Sequence, residues 1–194
     1  MMDKPIYLTD ELIVGKGRDR ICYEHPHDSS LCIKVSSLND KQSKREVSYF
    51  NFLNKTNTNL SKISVFRGKV KTNKGLGYTF DLIRDHDKKI SKTLRQCLEL
   101  QEFSIEWIQP QLNELKNYLI ANKICVRDIS PSNISCERTL NGVNLFIIDG
   151  VSNSNINPLT IRLQSLVNTS IDKAWKGLER KLARIERALM SNNE

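Results

Sequence analysis

Two short stretches constrain this chain more than any other feature. The first reads Cys125-Val126-Arg127-Asp128-Ile129-Ser130-Pro131-Ser132-Asn133, and the second Leu145-Phe146-Ile147-Ile148-Asp149-Gly150. Residues 134–144 separate them, with Asn141-Gly142 at the centre. Asn-Gly favours a tight hairpin because both residues accept positive φ at little cost. A hairpin there folds the second stretch back beside the first and brings Asp128, Asn133 and Asp149 to one end. Two carboxylates and an amide oxygen, with no His or Cys competing, suit a hard cation such as Mg²⁺. Each half alone also reads as ordinary structure: a surface loop held by Asx turns, and a strand that stops at Asp-Gly. Their order and spacing favour a site.

Arg127-Asp128-Ile129-x-x-x-Asn133 resembles the protein-kinase catalytic loop, H-R-D-L-x-x-x-N, and Asp149-Gly150 resembles a shortened D-F-G. More closely, the chain resembles the YrbL family, the small bacterial kinase-like proteins of the PhoP regulatory network, from about Leu12 to the C-terminal helix. Three departures stand out: Val126 replaces the loop His, Ser130 stands where many kinases place Lys, and the Phe of D-F-G is missing. The resemblance implies an α+β, protein-kinase-like fold. A small N-terminal antiparallel sheet with one helix would be followed by a reduced, mainly helical C-terminal lobe. It implies ATP and Mg²⁺ as cofactors, Asp128 as the catalytic residue, and Asn133 and Asp149 as metal ligands.

Leu12-Ile13-Val14 starts a strand and runs into Gly15-Lys16-Gly17-Arg18-Asp19-Arg20. Two glycines two apart let backbone approach a phosphate, although a lone G-x-G is weak evidence and a plain hairpin turn explains it more often. The stretch is similar to the kinase Gly-rich loop, with Arg20 in the third glycine position. The strand Leu31-Cys32-Ile33-Lys34-Val35 carries a Lys among apolar residues, where Lys is rarely buried unpaired. An edge-strand Lys that blocks aggregation is the plain alternative. By resemblance to V-A-I-K, Lys34 would hold nucleotide phosphates and need a Glu partner on the next helix. Residues 41–55 show helical periodicity through Val47, Phe50 and Leu53, and Glu46 near their middle is that partner. Otherwise Glu46 is an exposed helix Glu paired with a nearby Lys. Residues 63–71 and 76–83 read as strands around Thr72-Asn73-Lys74-Gly75. By analogy, backbone near Asp81 and Ile83 would meet adenine in a hinge.

In the second half, residues 92–101 and 104–122 read as helices, the latter with Pro110 straining its first half or marking its start. After Gly150 no long activation segment or A-P-E motif is visible. The periodicity predicts helices over 160–168 and 170–190. Ile171, Ala174, Trp175, Leu178, Leu182, Ile185 and Leu189 form the apolar stripe of the second, and six Lys and Arg cover its other faces. Such a helix docks on the lobe or meets an acidic partner or surface.

The 194 residues suit an N-terminal nucleotide-binding lobe over 1–85 and a C-terminal lobe over 86–194. The net charge of +8 is spread along the chain, without a basic block, which argues against a nucleic-acid tail. Five cysteines without C-x-x-C spacing argue against a disulfide framework or zinc site and predict reduced core thiols. The first residues lack an apolar signal region and no run approaches a membrane span, so a cytoplasmic protein is expected. Three functions follow. The first is kinase-like ATP- and Mg²⁺-dependent phosphoryl transfer to an unidentified hydroxyl acceptor, on a protein or small molecule. The second is a nucleotide-binding pseudokinase acting as a regulatory interaction module. The third, a basic nucleic-acid-binding protein, lacks any recognisable signature.

Overall fold

The first half of the chain alternates its side chains between two covered faces of a sheet. The structure, a computed structural model, describes residues 4–17, 19–36, 41–127, 129–152 and 164–191. Strands β1 (Ile13–Lys16), β2 (Arg20–Glu24), β3 (Leu31–Ser36), β4 (Phe66–Thr72) and β5 (Gly75–Asp81) form one antiparallel sheet in the order β1-β2-β3-β5-β4. Residues directly opposite in a ladder share a face. The register Cys22↔Lys34↔Tyr78 and Cys32↔Phe80 therefore gathers these five side chains on one face, while Tyr23, Ile33 and Val35 point to the other.

Helix α1 (Lys41–Lys55) covers the first face with Val47, Tyr49, Phe50 and Leu53. Phe50 meets Phe80 edge-on, ring centroids 5.9 Å apart. Each such buried side chain contributes about 1.5–3 kcal/mol. The opposite face is covered by the start of the chain. Leu8 packs on Tyr23, Ile33 and Val35 with Ile6, Leu12 and Ile13 around it. Leu8 N–H donates to Asn73 Oδ1 at 2.7 Å, and Asn73 Nδ2 donates back to the Leu8 carbonyl at 3.1 Å. The lead-in before β1 is thus part of the core.

Both hairpins with a T-x-x-G turn use the same device. Thr72 Oγ1 donates to the Gly75 carbonyl at 2.7 Å and accepts from Lys74 N–H at 3.1 Å. Thr139 Oγ1 repeats this with Gly142 and Asn141, at 3.0 and 3.3 Å. The second hairpin joins β6 (Ile134–Thr139) to β7 (Gly142–Ile147), so the predicted hairpin forms with its turn one residue earlier. Thr139 pairs with Gly142, and Gly142 supplies the positive φ of +152°. The expected strand over 63–71 divides. Ile63 bridges Ile147 of β7 in parallel, with Ser64 N–H on the Ile147 carbonyl at 2.9 Å, and the sheet begins only at Phe66.

Helix α2 (Leu94–Glu99) begins with a capping box between Thr93 and Gln96. Helix α3 (Ile105–Ala121) starts at an N-cap, Ser104, and contains Pro110. The proline therefore neither starts nor ends the helix, and the buried stripe Ile108, Leu112, Leu115 and Leu119 holds it. The two C-terminal patterns merge into one helix, α4 (Gln164–Ser191), continuous through Thr169; residues 160–163 of the first pattern lie outside the described residues. It docks through Val167, Ile171, Ala174, Trp175, Leu178 and Leu182, and its last turns, with Met190, are exposed. One buried cluster runs from Cys32 and α1 through α2, α3 and the β6–β7 hairpin to α4. The fold is α+β. All five cysteines are free thiols, four of them buried. Among the described residues no helix is long and apolar enough to cross a membrane.

Candidate functional site

The sheet register explains why charges collect at one place. Lys34 follows Cys32 on the α1-facing side of β3, and Arg20, two residues before Cys22, lies on the same side of β2. The Lys34 side chain runs over the Phe80 ring, Nζ 4.2 Å from its centroid, and donates to the Ile148 carbonyl at 2.6 Å. Lys34 is 7 % exposed and Glu46, on the buried side of α1, 3 %. Neither is the surface residue that the plain readings describe.

The expected Lys34–Glu46 ion pair is absent. Glu46 pairs instead with Arg20, Nη1 to Oε2 at 2.7 Å, and the other arm of the guanidinium, Nη2, bonds Asp149 Oδ1. Arg20 replaces a glycine of the loop pattern, and a guanidinium can hold two carboxylates at once where an ammonium has no fixed fork. Asp149 Oδ1 also accepts from Gly150 N–H at 2.7 Å, and Gly150 adopts φ +84°, which a side chain would resist. The Gly150 carbonyl accepts from Arg127 N–H at 3.0 Å, and the Asn133 carbonyl from Ile148 N–H at 2.9 Å. These bonds bring Asn133 and Asp149 to the same end of the β6–β7 hairpin. Asp128 lies outside the described residues.

Electrostatics are balanced within the cluster. Burial opposes the charge on Lys34, but Asp149 and Glu46 outweigh it and raise its pKa. Burial likewise opposes the charge on Arg20, and Asp149 and Glu46 raise its pKa. Burial pushes Glu46 up, only partly offset by Lys34 and Arg20. Burial also pushes Asp149 up, but Lys34 and Arg20 more than reverse it and hold the carboxyl below its usual range. Asp149 is the more solvent-reachable of the two acids, its side chain 30 % exposed against 4 % for Glu46. An ionised, partly open carboxylate is a donor a hard metal ion takes, although the Arg20 guanidinium on its Oδ1 opposes a second cation there.

Gly17 N–H donates to the Arg20 carbonyl at 2.8 Å, so that glycine closes the β1–β2 turn, as the plain reading holds. Gly15 pairs with Cys22 beside an irregularity in the ladder, and a Cβ there would meet nothing within 4 Å. At the expected hinge the Asp81 carboxylate is engaged by Arg67 Nε at 2.6 Å and Nη2 at 2.9 Å. Its N–H donates to the Val65 carbonyl at 3.1 Å, and its carbonyl accepts Ser64 Oγ at 2.7 Å. Leu82 N–H and the Ile83 carbonyl are also bonded, to Ser30 and Ser91. Two supports escape sequence reasoning. Tyr49 Oη accepts Cys125 N–H at 2.8 Å and pins α1 to the first stretch. Lys181 Nζ of α4 donates to the Ile129 carbonyl at 3.3 Å. Helical spacing places Tyr49 and Lys181 on their helices but names no partner for either. Arg20 had a usable signal, since β2–β3 pairing puts it on the Lys34 face.

The family model described as PhoP regulatory network protein YrbL matches residues 6–183. Curated proteins similar to this chain are "Uncharacterized protein YrbL" of Escherichia coli (strain K12) and its namesake of Shigella flexneri. Each is 32 % identical over 178 residues, covering 88 % of this chain and 85 % of the relative. With a match running from the lead-in over the sheet through most of α4, this chain belongs to the YrbL family of PhoP regulatory network proteins.

Proposed function

We propose that the chain binds ATP with Mg²⁺ and transfers a phosphoryl group to a hydroxyl acceptor within a protein-kinase-like architecture. The observation that carries this reading is the cluster Arg20, Lys34, Glu46 and Asp149, drawn from four chain segments onto one side of the sheet. Buried ion pairs contribute little beyond what apolar packing would give, so four charges kept together point to a ligand. A Lys on the third strand, a Glu on the helix after it and an Asp beyond the hairpin match the order of parts in kinases. Lys34 and the Gly15–Gly17 turn would hold phosphates, and Asn133 and Asp149 the metal ion. Asp128 would take the proton of the acceptor hydroxyl. At the hinge, with the backbone of Asp81 engaged, adenine recognition would fall to the Leu82 carbonyl and the Ile83 N–H. Bound ATP supplies the group transferred, and the metal ion neutralises its charge. Phosphoryl transfer needs little of the protein beyond positioning and charge stabilisation.

A second reading, a pseudokinase acting as a regulatory module, is favoured by one observation: Arg20 engages the carboxylate that a metal ion needs. A place in a regulatory network accords with either role. Titration calorimetry with ATP, with and without Mg²⁺, tests the nucleotide claim, and labelled ATP with candidate acceptors tests transfer. Asp149→Asn removes most of the metal-dependent affinity. Asp128→Asn leaves affinity intact but lowers turnover by about 10²–10⁴, the usual worth of a positioned base. Absence of nucleotide binding in the parent sinks both readings, and binding without Asp128-dependent turnover selects the second.

A further inference from the structure

We propose that Arg20 is a nucleotide-phosphate ligand anchored by Glu46, so that a helix glutamate which steadies a strand lysine in kinases here steadies an arginine. This rests on the nucleotide-binding reading above. The two arms of the guanidinium differ in setting. Nη1 is held at 2.7 Å by Glu46, whose side chain is 4 % exposed, whereas Nη2 reaches Asp149, whose side chain is 30 % exposed. One arm is an interior anchor, and the other faces the open side of the cluster. A phosphate oxygen offers Nη2 the same kind of acceptor that Asp149 Oδ1 offers, and arginine's planar fork fits carboxylate and phosphate alike.

The exchange has a second support in the other cation. Lys34 donates to the Ile148 carbonyl at 2.6 Å and lies over the Phe80 ring, so backbone and aromatic face hold it toward the sheet. Among the described residues the Arg20 guanidinium has no such backbone tether; both of its partners there are carboxylates. Its own backbone carbonyl accepts Gly17 N–H at 2.8 Å, which fixes the residue at the foot of the β1–β2 turn. An Asp149 engaged with a cation gives up Nη2, and the arm is then available to an anion in the same place. The arginine in the third glycine position thus adds a phosphate donor where the usual loop offers only backbone.

The test is calorimetric binding of ATP, with and without Mg²⁺, and of adenosine, to the full chain. The variants are Arg20→Lys, which keeps the charge without the fork, and Arg20→Met combined with Glu46→Gln, which removes the pair without leaving a buried charge. Both should lower ATP affinity by about 10- to 100-fold, the worth of a charge-assisted hydrogen bond, and leave adenosine affinity unchanged. ATP affinity equal to the parent's in a variant with a parent-like melt overturns the proposal. Tighter Mg²⁺-dependent ATP binding also overturns it, since Arg20 would then only block Asp149. Equal losses for ATP and adenosine overturn it in favour of a purely structural role. A parent that binds no nucleotide overturns this proposal together with the function it rests on, whereas failure confined to the variants leaves that function standing.

Discussion

The Arg20–Glu46 pair makes a quantitative prediction about which cation Glu46 belongs to. At 2.7 Å the Coulomb attraction of two unit charges is about 6 kcal/mol for an effective dielectric constant near 20. Desolvation of both groups opposes this. What remains measurable on removing one buried partner is about 3–5 kcal/mol, much of it the penalty on the charge left behind. For a chain of this size, roughly 2–4 °C of melting temperature accompanies each kcal/mol, so Glu46→Ala should melt about 6–20 °C below the parent. Single-variant losses do not identify the partner, but a double-mutant cycle does. Unfolding in urea, without nucleotide, would be followed for Glu46→Gln, Arg20→Met, Lys34→Met and the two double variants containing Glu46→Gln. The coupling of Glu46 with Arg20 should be the larger, because only that pair adds a charge-assisted hydrogen bond; Lys34 acts on Glu46 from beyond 4.0 Å. A larger coupling with Lys34 would refute the pairing and restore the arrangement expected from the kinase pattern.

Three further outcomes follow. Asp149 has a folded-state pKa below its ordinary value, so its contribution is present above about pH 4 and lost as pH falls through the lower folded value; Asp149→Asn should lose less stability than the parent in that acid window. Gly77→Ala would place a methyl 2.5 Å from Ile33 Cγ2 within a buried strand, and urea melts should show a loss of about 1–3 kcal/mol, as overpacked cores do. A thiol reagent should leave the four buried thiols unlabelled in the native state and react only slowly with Cys22, which is half-buried with its thiol pKa raised by Cys32 and by burial, whereas all five should label after unfolding.

Elements whose signal is local were legible in the sequence. Helix α1 spans residues 41–55 as its periodicity predicts, and β6–β7 forms where Asn-Gly indicated a hairpin. Position put Lys34 in an apolar strand and Glu46 beside an apolar stripe, and both are buried, although an edge Lys and an exposed Glu also fit the sequence. What escaped depends on contacts between distant segments. Ile63 left the β4 strand for β7 because two carbonyls and two N–H groups met there, and nothing in residues 63–71 encodes that meeting. Choosing between Lys34 and Arg20 as partner of Glu46 requires side-chain reach across a face, which strand alternation does not give. Pro110 stayed inside α3 because four buried side chains outweighed a missing backbone donor.

The lead-in that closes the outer face of the sheet also sets an order of events during synthesis. Leu8 leaves the ribosome before its partner Asn73, which follows 65 residues later. At about 5–20 residues per second that is a wait of roughly 3–13 s. For the later part of it Tyr23, Ile33 and Val35 have emerged without the strand and turn that hold their cover in place. The newborn chain therefore shows an apolar strand face for seconds, long enough for a chaperone that scans nascent segments to engage it.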